Sequence, residues 1–199
     1  MAKRIKQRYR KKISGVCKMI RLCSSSITRA QLLDDAKIEF IQESIDFDED
    51  SILASSPKNF VYQATLGKYE ANLKAFGYED YPLLVADTVV TSQGQILRKA
   101  RCEDDARNIL MTQSGNITSI ITCMIYQDTK QKIIDISSTD YLFEKFDTDD
   151  LDEYMLSGEW RGKAGACMVE GFCKKYIKEV RGDESTAMGL HTEILKRFL

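Results

Sequence analysis

The sequence has no apolar run near the roughly 20 residues that a membrane-crossing helix needs, which excludes a helical membrane-spanning protein. Two prolines (Pro57, Pro82) and eleven glycines in 199 residues are too few for a collagen-like chain or a long flexible linker. Histidine is nearly missing. The single His191 argues against a Ser-His-Asp or Cys-His hydrolase and against a His-rich metal centre, and reads as a loop or helix-cap residue. Six cysteines (17, 23, 102, 123, 167 and 173) form no C-x-x-C pair, so neither a zinc site nor a disulfide framework is indicated. Reduced thiols in a cytoplasmic protein are the expectation, with Cys23 and Cys123 in the core because they lie in apolar runs. Residues 1–18 contain no acid and eight basic side chains, and lack the apolar stretch and cleavage site of a secretory signal.

What is present describes an ordinary folded chain. It is 43% hydrophobic, with 29 Lys and Arg against 30 Asp and Glu, enough for one sizeable domain or two closely packed lobes. Setting the first 18 residues aside leaves 21 basic against 30 acidic residues in 19–199, a net charge of −9. An acidic body speaks against nucleic acid as the main partner. The basic extension has three open readings: a weak contact with nucleic acid or an anionic surface, a solvated extension, or an upstream start before Met19.

Helical and strand-like segments alternate, as in a layered α/β domain. Strands are expected at 19–24, 38–43, 83–91, 95–98, 117–126, 132–143, 167–170 and 174–180. Helices are expected at about 26–36 behind Ser24-Ser25-Ser26, at 57–76 between Pro57 and Gly77, from Glu103 to before Gly115, from Asp147 to Gly158, and at about 186–198.

Several residues are placed where chemistry is possible. Asp87 interrupts Leu83-Leu84-Val85-Ala86-Asp87-Thr88-Val89-Val90, a strand that otherwise calls for burial. Burying an unpaired carboxylate costs several kcal/mol, so Asp87 must be paired, bound to metal or set at a strand end. A strand-end Asp bonding backbone N–H groups is the plain alternative. Lys68 sits among Val61, Ala64, Ala71 and Ala75 on one helix face, a cation in a small-residue stripe or a lysine extending past the core edge. Leu22-Cys23-Ser24-Ser25-Ser26-Ile27-Thr28-Arg29 leads a strand through hydroxyls into a helix N-terminus, a phosphate cradle or simple serine capping. Arg161-Gly162-Lys163-Ala164-Gly165-Ala166 lets backbone approach a ligand, or is an ordinary loop. Asp48-Glu49 offers the oxygen ligands that Mg²⁺ prefers, or is a solvated acidic loop.

Together these segments resemble the Maf family of nucleoside triphosphate pyrophosphatases. The Ser24–Arg29 stretch stands for the family's S-x-S-P-R-R, Asp48-Glu49 for its acidic pair and Lys68 for its helical lysine. Ala86-Asp87-Thr88-Val89-Val90 is its A-D-T-V-V strand, and Gly94-Gln95-Ile96-Leu97-Arg98-Lys99-Ala100 its G-x-I-L-G-K-P. Ser114-Gly115, Gly162-Lys163-Ala164-Gly165-Ala166 and Gly189-Leu190 complete an ordered match over about 20–199. Departures fall at Ile27-Thr28 for Pro-Arg, Ala100 for Pro, and His191 for the proline of a late Gly-Leu-Pro.

The resemblance implies a mixed, twisted β-sheet with flanking helices and two lobes around a central cleft, formed by 19–199. It implies hydrolysis of the α–β phosphoanhydride of a nucleoside triphosphate to monophosphate and pyrophosphate. Asp87 would be the general base. Ser24, Arg29, Lys68, Lys99 and Lys163 would bind phosphate, and Glu49 with Asp87 would hold Mg²⁺ or Mn²⁺. A nucleotide-binding or division-regulating protein without efficient turnover is the alternative, and a homodimer is kept as an assembly. The family's three base-recognition positions hold Thr28, Thr88 and Glu170. Arg, Thr and Gln mark the branch favouring dTTP and UTP, and Trp, Gln and Glu the branch favouring 7-methyl-GTP, so this set assigns no base.

Overall fold

The computed structural model describes residues 19–45, 47–49, 52–167, 169 and 171–199. The basic extension 1–18 and Glu170 lie outside the described residues. The elements run β1 (Ile20–Leu22), α1 (Ile27–Asp35), β2 (Phe40–Gln42), α2 (Pro57–Phe76), β3 (Leu83–Ser92), β4 (Gln95–Leu97), α3 (Glu103–Gln113), β5 (Ile117–Gln127) and β6 (Lys132–Phe143). Then follow α4 (Thr148–Ser157), a 3-10 helix (Phe172–Tyr176), β7 (Ile177–Arg181), α5 (Glu184–Ala187) and α6 (Thr192–Lys196). The sheet is mixed, seven-stranded and ordered β2-β1-β3-β5-β6-β7, with β4 paired to β3. Strand β1 is parallel to both β2 and β3, while β3–β4 and β6–β7 are antiparallel. None of the described helices is long and apolar enough to cross a membrane.

The chain divides into two compact units. The first holds the described part of Met1–Thr88 with Thr122–Ser137 and Glu184–Leu199; the second holds Val89–Ile121 and Ser138–Asp183. Within the first unit, the two-residue period of the central strands sorts side chains into two apolar layers. Leu84 and Ala86 of β3 join Met124 and Tyr126 of β5, Leu22 of β1 and Leu32 and Leu33 of α1. Leu83 and Val85 join Ile125, Cys23 and Tyr69 of α2. Helix α1 therefore covers one face and α2 the other. Strands β1 and β3 are buried on both faces, which is why Leu83–Ala86 reads as an unbroken apolar run.

Within the second unit, Asp147 caps α4 by accepting from the backbone N–H groups of Asp149 and Asp150, and Gly158 ends that helix in the left-handed conformation. Leu151, Tyr154 and Met155 are buried, as their spacing predicts.

Three expectations are corrected. Residues 167–170 form no strand at the positions described, and 174–180 begins as a 3-10 helix before β7. The helix expected at 186–198 is two short helices, because Gly189 at φ +104° breaks the run and turns Leu190 into the core. Cys167 and Cys173, expected reduced, are joined as a disulfide with Cα atoms 6.3 Å apart. Gly165 and Ala166, which lead into Cys167, are both at positive φ, and a C-x₅-C spacing does not reveal such backbone. Cys23 and Cys123 are buried free thiols, as expected. His191 is the N-cap residue of α6, with Nδ1 3.2 Å from Asp135 and 2.9 Å from Ser137 Oγ.

Candidate active site

The same strand alternation that builds the two layers sets the chemistry at their edge. Asp87 continues the Leu83–Val85 face and so meets α2, whereas Thr88 continues the Leu84–Ala86 face and meets α1. Successive residues of β3 thus deliver a carboxylate to Lys68 and a hydroxyl to Arg29.

On the α2 face, Lys68 Nζ lies 2.7 Å from Asp87 Oδ1 and 2.5 Å from Glu49 Oε1. The Asp87 side chain is 12% exposed and that of Glu49 39%, so the buried member has its counter-ion and the other reaches solvent. The acidic loop is fastened to α2 by two contacts. Buried Asn72 accepts from the Ile45 N–H at 3.1 Å and donates to the Lys68 carbonyl at 2.7 Å. The Phe47 ring rests where a side chain of Gly67 would stand: a Cβ there would lie 2.2 Å from Phe47 Cζ. A glycine inside a long helix costs about 1 kcal/mol relative to alanine. At this position it lets the loop carrying Glu49 settle beside Lys68.

On the α1 face, Ser24 Oγ accepts from the Ser26 N–H at 3.2 Å, and Ser26 caps α1 by accepting from the Arg29 N–H. Gln42 of β2 donates to the carbonyls of Ser24 and Ser26, at 2.8 and 3.2 Å, and pins this serine loop. The Arg29 side chain folds back over the cap. Its Nε donates to the Gly189 carbonyl at 2.8 Å, Nη1 to Ser24 Oγ at 3.0 Å and Nη2 to Thr88 Oγ1 at 3.0 Å. These bonds use three of five N–H donors and only neutral acceptors. Burial pushes the Arg29 pKa down, while the nearby charges of Asp87 and Glu49 push it back up. The guanidinium stays charged, because arginine does not deprotonate in proteins.

The structure therefore brings together Ser24, Arg29 and Thr88 on one side of β3, and Lys68, Asp87 and Glu49 on the other. Thr28 is exposed on the first turn of α1 and Asp48 is exposed beside Glu49. Ala75, expected in the Lys68 stripe, is exposed; the inward face of α2 is carried by Phe60, Val61, Ala64, Thr65, Tyr69 and Asn72. Lys99 and Lys163 are exposed residues of the second unit. Lys99 forms an isolated antiparallel bridge with Ala164, and Gly165 N donates to the Leu97 carbonyl at 3.1 Å, so the Gly162–Gly165 loop lies along the end of β4. Glu170 is not among the described residues. Gln42, Gly67 and Asn72 support the site, yet nothing in their local sequence separates them from ordinary strand and helix residues.

Glu49 and Asp87 offer carboxylate oxygens to the same ammonium, no more than about 5.2 Å apart with the two contact distances laid end to end. Among the described residues no group of three or more His, Cys, Asp or Glu side chains is placed to hold a metal. Two carboxylates completed by water or ligand oxygens is a Mg²⁺-type donor set, so these residues fit a hard divalent cation by their chemistry.

A family model described as Maf-like protein matches residues 19–199. A Nitratiruptor protein named nucleoside triphosphate pyrophosphatase is 57% identical over 179 residues, covering 89% of this chain and 96% of the relative. Proteins of the same name from Campylobacter jejuni strain 81-176 and Helicobacter pylori strain J99 are 36% and 34% identical, covering 91% and 86% of this chain and 100% and 90% of their own. With the family model spanning residues 19–199 and these relatives covering most of its length, the chain belongs to the Maf family.

Proposed function

We propose that the protein is a nucleoside triphosphate pyrophosphatase that hydrolyses the α–β phosphoanhydride, consuming one water and giving the monophosphate and pyrophosphate. The observation that carries this reading is the pairing at Asp87 and Thr88: one strand holds a carboxylate against Lys68 and a hydroxyl against Arg29 within a single unit. The names of the relatives support the activity.

In this reading the α1 N-terminus, Ser24 and the two remaining N–H donors of Arg29 bind phosphate oxygens. Asp87 presents Oδ1 to Lys68, which leaves Oδ2 to take the proton from the attacking water. Lys68 orients that carboxylate and adds positive charge as negative charge builds on the leaving pyrophosphate. Lys99 and Lys163 are assigned to the triphosphate on the sequence pattern. Glu49 and Asp87 would hold Mg²⁺ or Mn²⁺, which when bound supplies charge neutralisation and polarisation of the phosphate oxygens. Thr28, Thr88 and Glu170 stand at the family's base-recognition positions, and the preferred base is left to experiment. The site is proposed to work in the cytoplasm.

Turnover in ¹⁸O-labelled water tests the reaction. Pyrophosphate release from a nucleotide panel, with the label in the monophosphate, is expected. Label in the pyrophosphate, or nucleotide binding without release in Mg²⁺ or Mn²⁺, would contradict the proposal. Turnover unaffected by excess chelator would remove the metal from it.

A further inference from the structure

Thr122 of β5 is 1% exposed and continues the Met124–Tyr126 face, which places its hydroxyl 2.9 Å from that of Thr88. Its other partner is the Thr186 carbonyl, 2.7 Å away. The direction of every bond in this chain is fixed by what each group can do. A guanidinium only donates, so Thr88 Oγ1 accepts from Arg29 Nη2. A carbonyl only accepts, so the single hydroxyl hydrogen of Thr122 goes to Thr186. The Thr88–Thr122 contact can then be bridged only by the hydrogen of Thr88. That hydroxyl has no proton left for a ligand.

Gly189 closes the arrangement from the other side. Its carbonyl accepts from Arg29 Nε, and a Cβ at this position would stand 3.2 Å from that Nε and 3.3 Å from Thr88 Oγ1. Its φ of +104° is itself unfavourable for any residue with a side chain. The position is thus closed to a side chain by backbone conformation and by Arg29.

We infer that Thr122 and Gly189 are positioning residues that fix Arg29 through Thr88, whose one hydroxyl proton is committed to Thr122. This rests on the reading of Arg29 as a phosphate ligand. Thr122 acts at a distance from substrate. Without its hydroxyl, Thr88 rotates, the Nη2 bond loses its fixed acceptor, and the guanidinium keeps only its Ser24 and Gly189 contacts.

The test is a nucleotide panel run on wild type, Thr122→Val, Thr122→Ser and Gly189→Ala. A misplacement on the order of 1 Å costs up to about a hundredfold in rate, so Thr122→Val is expected to lower kcat/KM by about ten- to a hundredfold. The loss is expected for every nucleotide of the panel. Thr122→Ser retains the hydroxyl and restores activity, and Gly189→Ala reproduces the loss. A kcat/KM within about twofold of wild type for Thr122→Val, or a loss that Thr122→Ser does not restore, would overturn the inference. Should Thr122→Val fail to fold, Thr122→Ala against Thr122→Ser decides by the same comparison. If wild type releases pyrophosphate from no nucleotide, the proposed function fails instead. The mount is then judged by calorimetric pyrophosphate binding: weaker by about tenfold in Thr122→Val but not in Thr122→Ser supports it, and equal affinity overturns it.

Discussion

Replacing Gly67 with alanine sets two effects of similar size against each other. Alanine in the middle of α2 stabilises the helix by about 1 kcal/mol relative to glycine. The new Cβ would lie 2.2, 2.5 and 2.7 Å from three carbons of the Phe47 ring, so the ring must leave its seat. Burying a phenylalanine fully is worth about 1.5–3 kcal/mol, and Phe47 is half-buried, so its displacement costs about 1 kcal/mol. The net change in stability is therefore near zero. The effect on function is not balanced in this way. Phe47 lies two residues before Glu49, and moving it draws that carboxylate off Lys68. Thermal unfolding and steady-state pyrophosphate release on the same preparation separate the effects. The melting temperature should change little, while kcat/KM falls by about ten- to a hundredfold. A variant that is more stable and fully active would show that the ring does not hold the catalytic loop.

Two further outcomes follow from buried groups. Arg21 and Glu43 pair at 3.2 Å with side chains each 10% exposed, and Arg21 also stacks over Phe76 and Tyr81. Glu43→Leu leaves the guanidinium without its counter-charge and should cost about 3 kcal/mol in denaturant unfolding; no loss would mean that the ring contacts alone sustain the charge. Burial pushes the Cys23 thiol up to about 12, from an ordinary value of 9.0. Between these values the unfolded chain sheds a proton that the native protein keeps. Cys23 therefore contributes a fall in unfolding free energy as pH rises above 9, of up to about 1.4 kcal/mol per pH unit, and Cys23→Ala should make that limb shallower by this amount. A slope unchanged by the substitution would remove Cys23 as its source.

Much of this architecture was legible in the residues. Helix α2 could be bounded from Pro57 and Gly77 because a proline at the first turn and a glycine past the last are local signals. Asp87 stood out because one carboxylate in an apolar strand demands a partner, and Lys68 is that partner. What failed to show is long-range. Thr122 lies 34 residues from Thr88, and only the pairing of strands puts their hydroxyls together. The approach of the chain to Cys167 through Gly165 and Ala166, and the break at Gly189, depend on backbone at positive φ, which residue type alone does not announce. Gly67 looks like a defect in a helix until Phe47 is placed on it.

The Asp87→Asn enzyme gives the most direct test. The substitution keeps the shape of the side chain beside Lys68 and removes its ability to take a proton from water. Pyrophosphate release under saturating nucleotide and Mg²⁺ should fall by about a hundred- to ten-thousandfold, the contribution typical of a positioned general base, while circular dichroism and melting temperature remain those of a folded protein. Near-normal turnover by that folded variant would contradict the account.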